Sequence, residues 1–165
     1  MTSWKEKLKG KPVRYWIRAE IEEIIKENNI DRTKFYEYSK TGYVDVIKKF
    51  YYSFVDYKKY PYKSKYGLSY CWLHLRTELK CSQPVTDDNW IFLLQKIKDI
   101  LPVKKDERLY LILSENWVYE GYINEIIDVL SETDCLLEDF YIVSKKYKWF
   151  LAYCDDGMCA VLYQK

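Results

Sequence analysis

The most one-sided run of charge in this chain lies between Asp106 and Asp139, where ten carboxylates accompany one base, Arg108. Residues 1–105 carry 22 Lys and Arg against 13 Asp and Glu, so the net charge of +2 conceals a strongly acidic stretch. A cluster of one sign creates a surface potential that attracts an oppositely charged partner. The chemistry that these side chains support is therefore electrostatic steering of a basic partner rather than a reaction.

Two features of the acidic stretch favour a binding surface. An aromatic residue, Trp117, precedes a predicted helix whose acids recur three and four residues apart. An exposed aromatic side chain bordered by carboxylates can anchor a partner while the charges steer it. A solvated helix with its loops would show the same composition, and this alternative stays open. The predicted partner-binding residues are Glu115, Trp117, Tyr119, Glu120, Glu125, Asp128, Glu132 and Asp134.

Catalytic and metal-binding motifs are weakly represented. His74 is the chain's one histidine; Cys71 lies three residues before it, a spacing that a helical thiol–imidazole pair could use, although a packed histidine is commoner. Glu78-Leu79-Lys80 has the carboxylate-x-lysine form of some metal-dependent nucleases but lacks an aspartate on a preceding paired strand. Asp155-Asp156-Gly157 predicts a hairpin turn rather than a cation site. We expect no catalytic residue, no metal and no cofactor.

A second binding hypothesis concerns the segment from Lys34 to Tyr70, which holds ten tyrosines and eight lysines against three acids. Basic side chains between aromatic rings suit a nucleic-acid groove, because the cations meet phosphates while the rings stack on bases. About half of these rings would fall on the buried side of a helix, and no recognised nucleic-acid-binding signature accompanies them. Nucleic-acid binding is therefore the alternative to protein binding.

Composition limits the class of protein. A chain of 165 residues with 48% hydrophobic and 32% charged residues fits one globular domain over residues 1–165. No apolar run approaches the roughly 20 residues of a membrane span, and no secretory signal is visible at the N-terminus. Five cysteines, an odd number without framework spacing, predict reduced thiols in a cytoplasmic protein, with Cys154 and Cys159 able to lie near one another across a hairpin.

Apolar periodicity predicts the helices. Three- and four-residue spacing predicts a helix around residues 17–25 and a second from Val44 to Tyr57. The same spacing weakly favours a third helix over 68–79, although the apolar run from Tyr70 to Leu73 would also suit a buried strand. Thr86 or Asp87 can cap a further helix that ends at Leu101-Pro102. The last predicted helix buries Tyr119, Tyr122, Ile123, Ile126, Ile127 and Leu130.

Short apolar runs predict the strands. Residues 109–113 and 140–144 are continuously apolar, as expected of buried strands, and residues 147–154 and 158–163 follow with turns between them. The order predicts an α+β fold in which N-terminal helices pack on one face of a mixed or antiparallel sheet. That sheet ends in a C-terminal three-stranded meander.

The run from Leu137 to Leu151 resembles the C-terminal part of small, poorly characterised bacterial proteins. The helix entry Asp88-Asn89-Trp90 and the strand end Leu111-Ile112-Leu113-Ser114-Glu115 are similar to the same group, so that the resemblance covers roughly residues 70–163. Some of these proteins look like immunity proteins, which bind and neutralise a cognate toxin. The resemblance implies a non-enzymatic binding protein whose basic partner is a toxin domain, and it carries over no catalytic residues.

Overall fold

A computed structural model describes residues 16–39, 41–63, 68, 71–113, 117–134, 136–155 and 158–165. Within them the helices are α1 (Trp16–Glu27), α2 (Tyr43–Phe54), α3 (Trp90–Ile100) and α4 (Ile123–Ser131), with a 3₁₀ turn at Cys71–His74. The strands are β1 (Phe35–Glu37), β2 (Lys80–Cys81), β3 (Leu109–Leu113), β4 (Val118–Gly121), β5 (Asp139–Ser144), β6 (Trp149–Cys154) and β7 (Met158–Tyr163).

The strands form one sheet in the order β1-β4-β3-β5-β6-β7-β2, and every pairing among the described strands is antiparallel. The strands β5, β6 and β7 follow one another along the chain and in the sheet, so the predicted C-terminal meander is confirmed. The α+β fold class is confirmed as well. The short strands β1 and β2, which close the two edges, were not predicted.

Helices cover both faces of the sheet, and the prediction that they cover one face is wrong. The five residues of β3 are all buried: Leu109, Leu111 and Leu113 face the core beneath α1, α3 and α4, whereas Tyr110 and Ile112 face the core beneath α2. A central strand must be apolar on both sides when each side is packed against a helix layer. The continuous apolar runs of β3 and β5 follow from this three-layer arrangement.

Two contacts position α4 between its neighbours. The indole N–H of Trp90, at the start of α3, donates to the carbonyl oxygen of Leu130, near the end of α4, at 2.7 Å. On the opposite flank of α4, the Lys34 ammonium lies 3.7 Å from a Glu125 carboxylate oxygen. The exposed side of α4 therefore lies between α3 and the residues that lead into β1.

The start of the last predicted helix is wrong. Residues Val118–Gly121 form β4, all four are buried, and α4 begins at Ile123. Tyr119 pairs with Leu111 of β3 on one side and with Glu37 of β1 on the other. The residues Val118–Gly121 obtain their backbone hydrogen bonds from β1 and β3 on their two sides, so they are strand and not helix.

Two further expectations need correction. The segment 68–79 is not a long helix: a 3₁₀ turn at Cys71–His74 leads to Leu75, which makes an isolated antiparallel bridge to Val55. The cap of α3 is Asn89, whose side chain accepts from the Phe92 N–H, while Asp87 accepts from the Asn89 N–H one turn earlier. Among the described residues, no helix has the length and apolar character required to cross a membrane.

Candidate functional site

Three carboxylates of the acidic stretch are exposed together at the solvent side and the end of α4. Asp128 and Glu132 lie four residues apart on the exposed side of the helix, and Asp134 follows in the connection to β5. Glu125, one turn before Asp128, is half-buried beside Lys34. We call Asp128, Glu132 and Asp134 the acidic patch. Among the described members of the predicted anionic surface, these three are the exposed carboxylates.

The fold removes Tyr119 and Glu120 from the predicted surface. Tyr119 is fully buried and its ring stacks on Phe35 at 5.1 Å between centroids. Glu120 is 2% exposed and one of its carboxylate oxygens lies 2.7 Å from the Lys145 ammonium. Neither side chain is exposed to meet a partner, because β4 is an inner strand with β1 and β3 on its two sides.

Trp117 is half-buried and already has neighbours within the protein. The Arg18 guanidinium lies 5.8 Å from the centre of the Trp117 ring, and Tyr43 is 6.0 Å away on centroids. Arg18 is itself held by Glu37 through two hydrogen bonds of 2.9 and 2.6 Å. Trp117 thus contributes to the packing of α1 and α2 against β4, and Glu115 lies outside the described residues.

An exposed apolar pair that the sequence did not single out lies on the first turn of α3, the helix that packs against α4. Ile91 is 54% exposed and Phe92 is 62% exposed on the first turn of α3. The hydrogen bond from Trp90 to Leu130 holds this turn against the last turn of α4, which Glu132 terminates. Apolar side chains rimmed by charge are typical of protein-binding surfaces. We call Ile91, Phe92 and the acidic patch the α3–α4 surface.

Comparison with known proteins defines the family. The model of a family described as "Family of unknown function (DUF6756)" matches residues 14–165. The chain belongs to this family. No curated protein and no solved structure matches it. The expectation of an uncharacterised family is confirmed, and the match includes all of the elements described above. Toxin neutralisation is not among the properties that this family description gives.

The environment of Asp128 disfavours its negative charge and thereby lowers the stability of the folded protein. Partial burial and the neighbouring Glu125 carboxylate raise the pKa of Asp128 above its ordinary value, while Lys98 of α3 acts in the opposite direction. A raised pKa means that folding disfavours the charged carboxylate. The protein therefore keeps a negative charge at this position at some expense in stability.

Replacing Asp128 with asparagine is expected to increase the free energy of unfolding at neutral pH by about 0.3 kcal/mol, as for removal of a like-charge helix pair. The gain should vanish near about pH 3, where the carboxyl group is protonated in both the folded and unfolded states. Urea unfolding at both pH values tests this. A loss of stability at neutral pH would show that Asp128 supports the fold rather than burdening it.

The cysteines and His74 do not form an activated thiol among the described residues. Cys71 is buried, its thiol contacts the Tyr141 hydroxyl at 3.2 Å, and burial raises the pKa of Cys71 to about 12. The His74 ring instead stacks on Tyr60 at 3.7 Å between centroids. A nucleophilic cysteine needs a lowered pKa, so this arrangement does not favour thiolate chemistry.

Cys154 and Cys159 lie on adjacent strands of the β6–β7 hairpin, as predicted, but their side chains are on opposite faces of the sheet. Cys154 pairs with Met158 and faces the α2 side, whereas Cys159 pairs with Tyr153 and faces the opposite core. Cys154 does join one metal-capable group among the described residues: ligand atoms of Asp139, Cys154 and Asp155 all lie within 4.8 Å of one another. Three such donors are fewer than the four protein ligands of a structural zinc site.

Most described tyrosines of the segment from Lys34 to Tyr70 pack in or against the core beneath α2. Tyr51 is buried, and Tyr43, Tyr57 and Tyr62 pack partly buried against that core. Tyr52 is exposed, but its ring packs edge-on against Tyr57 at 5.1 Å. Among the described residues of this segment, the rings do not form an open stacking platform. Tyr66 and Tyr70 lie outside the described residues.

Proposed function

We propose that this protein is a non-enzymatic binding protein that captures a basic protein partner through the α3–α4 surface. The observation that carries the proposal is the exposed pair Ile91 and Phe92 on the first turn of α3, which the Trp90–Leu130 hydrogen bond joins to the last turn of α4, where the exposed Glu132 follows. Burying an exposed Phe side chain contributes about 2 kcal/mol to an association. The surrounding carboxylates accelerate encounter with a cationic surface and disfavour acidic competitors.

The charge of the acidic patch supports a partner with a basic cleft. Asp128, Glu132 and Asp134 can occupy positions that phosphates would take in a basic cleft. A toxin domain with a nucleic-acid-binding cleft is such a partner, and this protein would then act as its inhibitor. The nucleic-acid alternative has less support, because most described tyrosines of residues 34–63 are committed to internal packing.

A photo-cross-linker tests the anchor directly. Replacing Phe92 with p-benzoylphenylalanine in the native host is expected to trap one basic protein, identified by mass spectrometry of the cross-linked species. The same replacement at Leu73, which is 58% exposed and far from the acidic patch in sequence, provides the control. Capture of the same proteins from both positions, or of an acidic partner from Phe92, would contradict the proposal.

Charge reversal then tests the steering role with the captured partner. The double variant Asp128→Lys/Glu132→Lys is expected to lower the association rate constant about tenfold or more at low salt, with a smaller loss at high salt. The matched control is Glu27→Lys/Glu78→Lys, which reverses two exposed acids elsewhere. Stopped-flow or surface-based kinetics give the rates. Equal effects of the two double variants would show that net charge alone matters and would remove the assignment of this surface.

A further inference from the structure

A second site, independent of the α3–α4 surface, lies where the loop before β3 meets the β5–β6 hairpin. A cavity of about 680 Å³ separates these two segments. This volume lies within the range of small-molecule sites in proteins. Its lining residues are Pro102, Lys104, Lys105, Asp106, Glu107, Ser144, Lys146, Lys148 and Trp149.

Lysines dominate the lining. Lys104, Lys105, Lys146 and Lys148 are all exposed, and none of them forms an ion pair with another described residue. By contrast Lys145, the neighbour of Lys146, is paired with Glu120. Two carboxylates also line the cavity, so that its formal charge is +2. Four cations that converge on one concave surface attract a multivalent anion.

The two segments that carry the lysines are held by short-range contacts. In the hairpin, the Ser144 carbonyl oxygen accepts from the Tyr147 N–H at 2.8 Å, and Tyr147 adopts a left-handed backbone with φ 52°. In the loop, the Lys104 carbonyl oxygen accepts from the Glu107 N–H at 3.0 Å, and a Glu107 carboxylate oxygen accepts from the Lys104 N–H at 3.3 Å. The lysine backbones are thus fixed while their ammonium groups remain adaptable.

Ser144 and Trp149 provide a different kind of lining. Ser144 is buried, and its hydroxyl oxygen accepts the N–H groups of Lys148 and Trp149 at 2.9 and 3.4 Å. Because both of these bonds use the oxygen as acceptor, the hydroxyl hydrogen remains available to donate to an anion. Trp149 and Pro102 supply an apolar border. Lysines with a hydroxyl donor and an apolar border suit a phosphate-bearing molecule with a flat organic part.

We propose that this cavity binds a molecule with several neighbouring phosphate groups, which a free nucleotide or a nucleic-acid strand could supply. Three to four negative charges on adjacent phosphates match the four lysines, whereas a monocarboxylate would leave most of them unpaired. Lysine binds phosphate as a compact point charge and needs no fixed fork geometry. The acidic patch lies on another part of the molecule, so this site does not depend on the proposed protein-binding function.

Isothermal titration of the full chain with inorganic tripolyphosphate at low salt tests the proposal. Binding is expected, and the variant Lys146→Gln/Lys148→Gln should weaken it about tenfold or more, since two charge-assisted contacts are lost. The matched control, Lys48→Gln/Lys49→Gln, removes two exposed lysines of α2 and should change the affinity less than about twofold. Circular dichroism confirms that each variant is folded.

Two further titrations distinguish the sources of the phosphate group. ATP binding more tightly than tripolyphosphate would identify a nucleotide site. Binding of a single-stranded DNA oligonucleotide that is lost in Lys146→Gln/Lys148→Gln, with no binding of ATP or tripolyphosphate, would identify a strand's backbone. Absence of binding by all three probes would overturn the proposal, and so would equal losses in the cavity variant and the control. Charge reversal at Asp128 and Glu132 should leave these affinities within about twofold, which separates this site from the α3–α4 surface.

Discussion

Replacing Phe50 with alanine is expected to lower the free energy of unfolding by about 3–5 kcal/mol, the usual loss for a fully buried Phe. Phe50 is fully buried, and its ring lies 5.0 Å from Tyr141, 5.1 Å from Phe150 and 5.4 Å from Phe54 on centroids. This aromatic group attaches α2 to the central strands β5 and β6. Its loss leaves a cavity that the rigid sheet cannot fill.

Urea unfolding followed by tryptophan fluorescence measures the change. The control is Tyr52→Ala in the same helix, where the side chain is 48% exposed and the loss should stay below about 1 kcal/mol. A similar small loss at Phe50 would mean that α2 contributes little to the cooperative fold. The core beneath α2 would then contribute little to the stability of the domain.

The spacing of apolar residues was sufficient to predict the amphipathic helices, which bury one face, and the central strands, which bury both faces. The helices α1, α2 and α3 follow from apolar residues three and four apart, and β3 and β5 follow from short runs without a polar side. The meander follows because its turns are short and its strands are consecutive. Each of these features depends on neighbouring residues, which the sequence displays directly.

The strand β4 could not be recognised from spacing, because Tyr119, Tyr122, Ile123 and Ile126 also satisfy the helical period. Gly121 was the available signal against a helix. A Cβ at this position would come within 2.9 Å of the Lys34 carbonyl oxygen and 2.6 Å of the Phe35 ring. The glycine therefore permits β1 to approach β4, a requirement that arises 86 residues away in the chain and is invisible in a local window.

The same long-range pairing decided which predicted site residues are exposed. Glu125, Asp128 and Glu132 lie on a surface helix, as expected, whereas β4 carried Tyr119 and Glu120 into the interior. The exposed pair Ile91 and Phe92 was hidden within a run of five apolar residues, 90–94. Such a run surrounds a helix on all sides, so some members must be exposed, but packing alone decides which.

Replacing Lys145 with methionine is expected to lower the free energy of unfolding by about 2–3 kcal/mol, because it leaves the Glu120 carboxylate buried without its cation. The loss lies toward the lower end for buried ion pairs, since the Lys145 side chain is 41% exposed and water can partly replace it. Burial and interaction with the Glu120 carboxylate raise the pKa of Tyr36 above its ordinary value. The Lys145 ammonium further lies 5.4 Å from the centre of the Tyr110 ring.

A double-mutant cycle measures the interaction energy between Glu120 and Lys145 separately from the other effects of each mutation. Glu120→Gln in the Lys145→Met background should restore about half or more of the lost stability, because the amide removes the uncompensated charge. If Lys145→Met does not lower the free energy of unfolding, then solvent reaches Glu120, and Glu120 could again be a partner-binding charge. If the cycle shows strong coupling between Glu120 and Lys145, charge reversal at Glu120 would unfold the protein. A loss of partner binding in such a variant would then not be evidence for a contact with the partner. Tests of steering must then use Asp128 and Glu132, which are exposed.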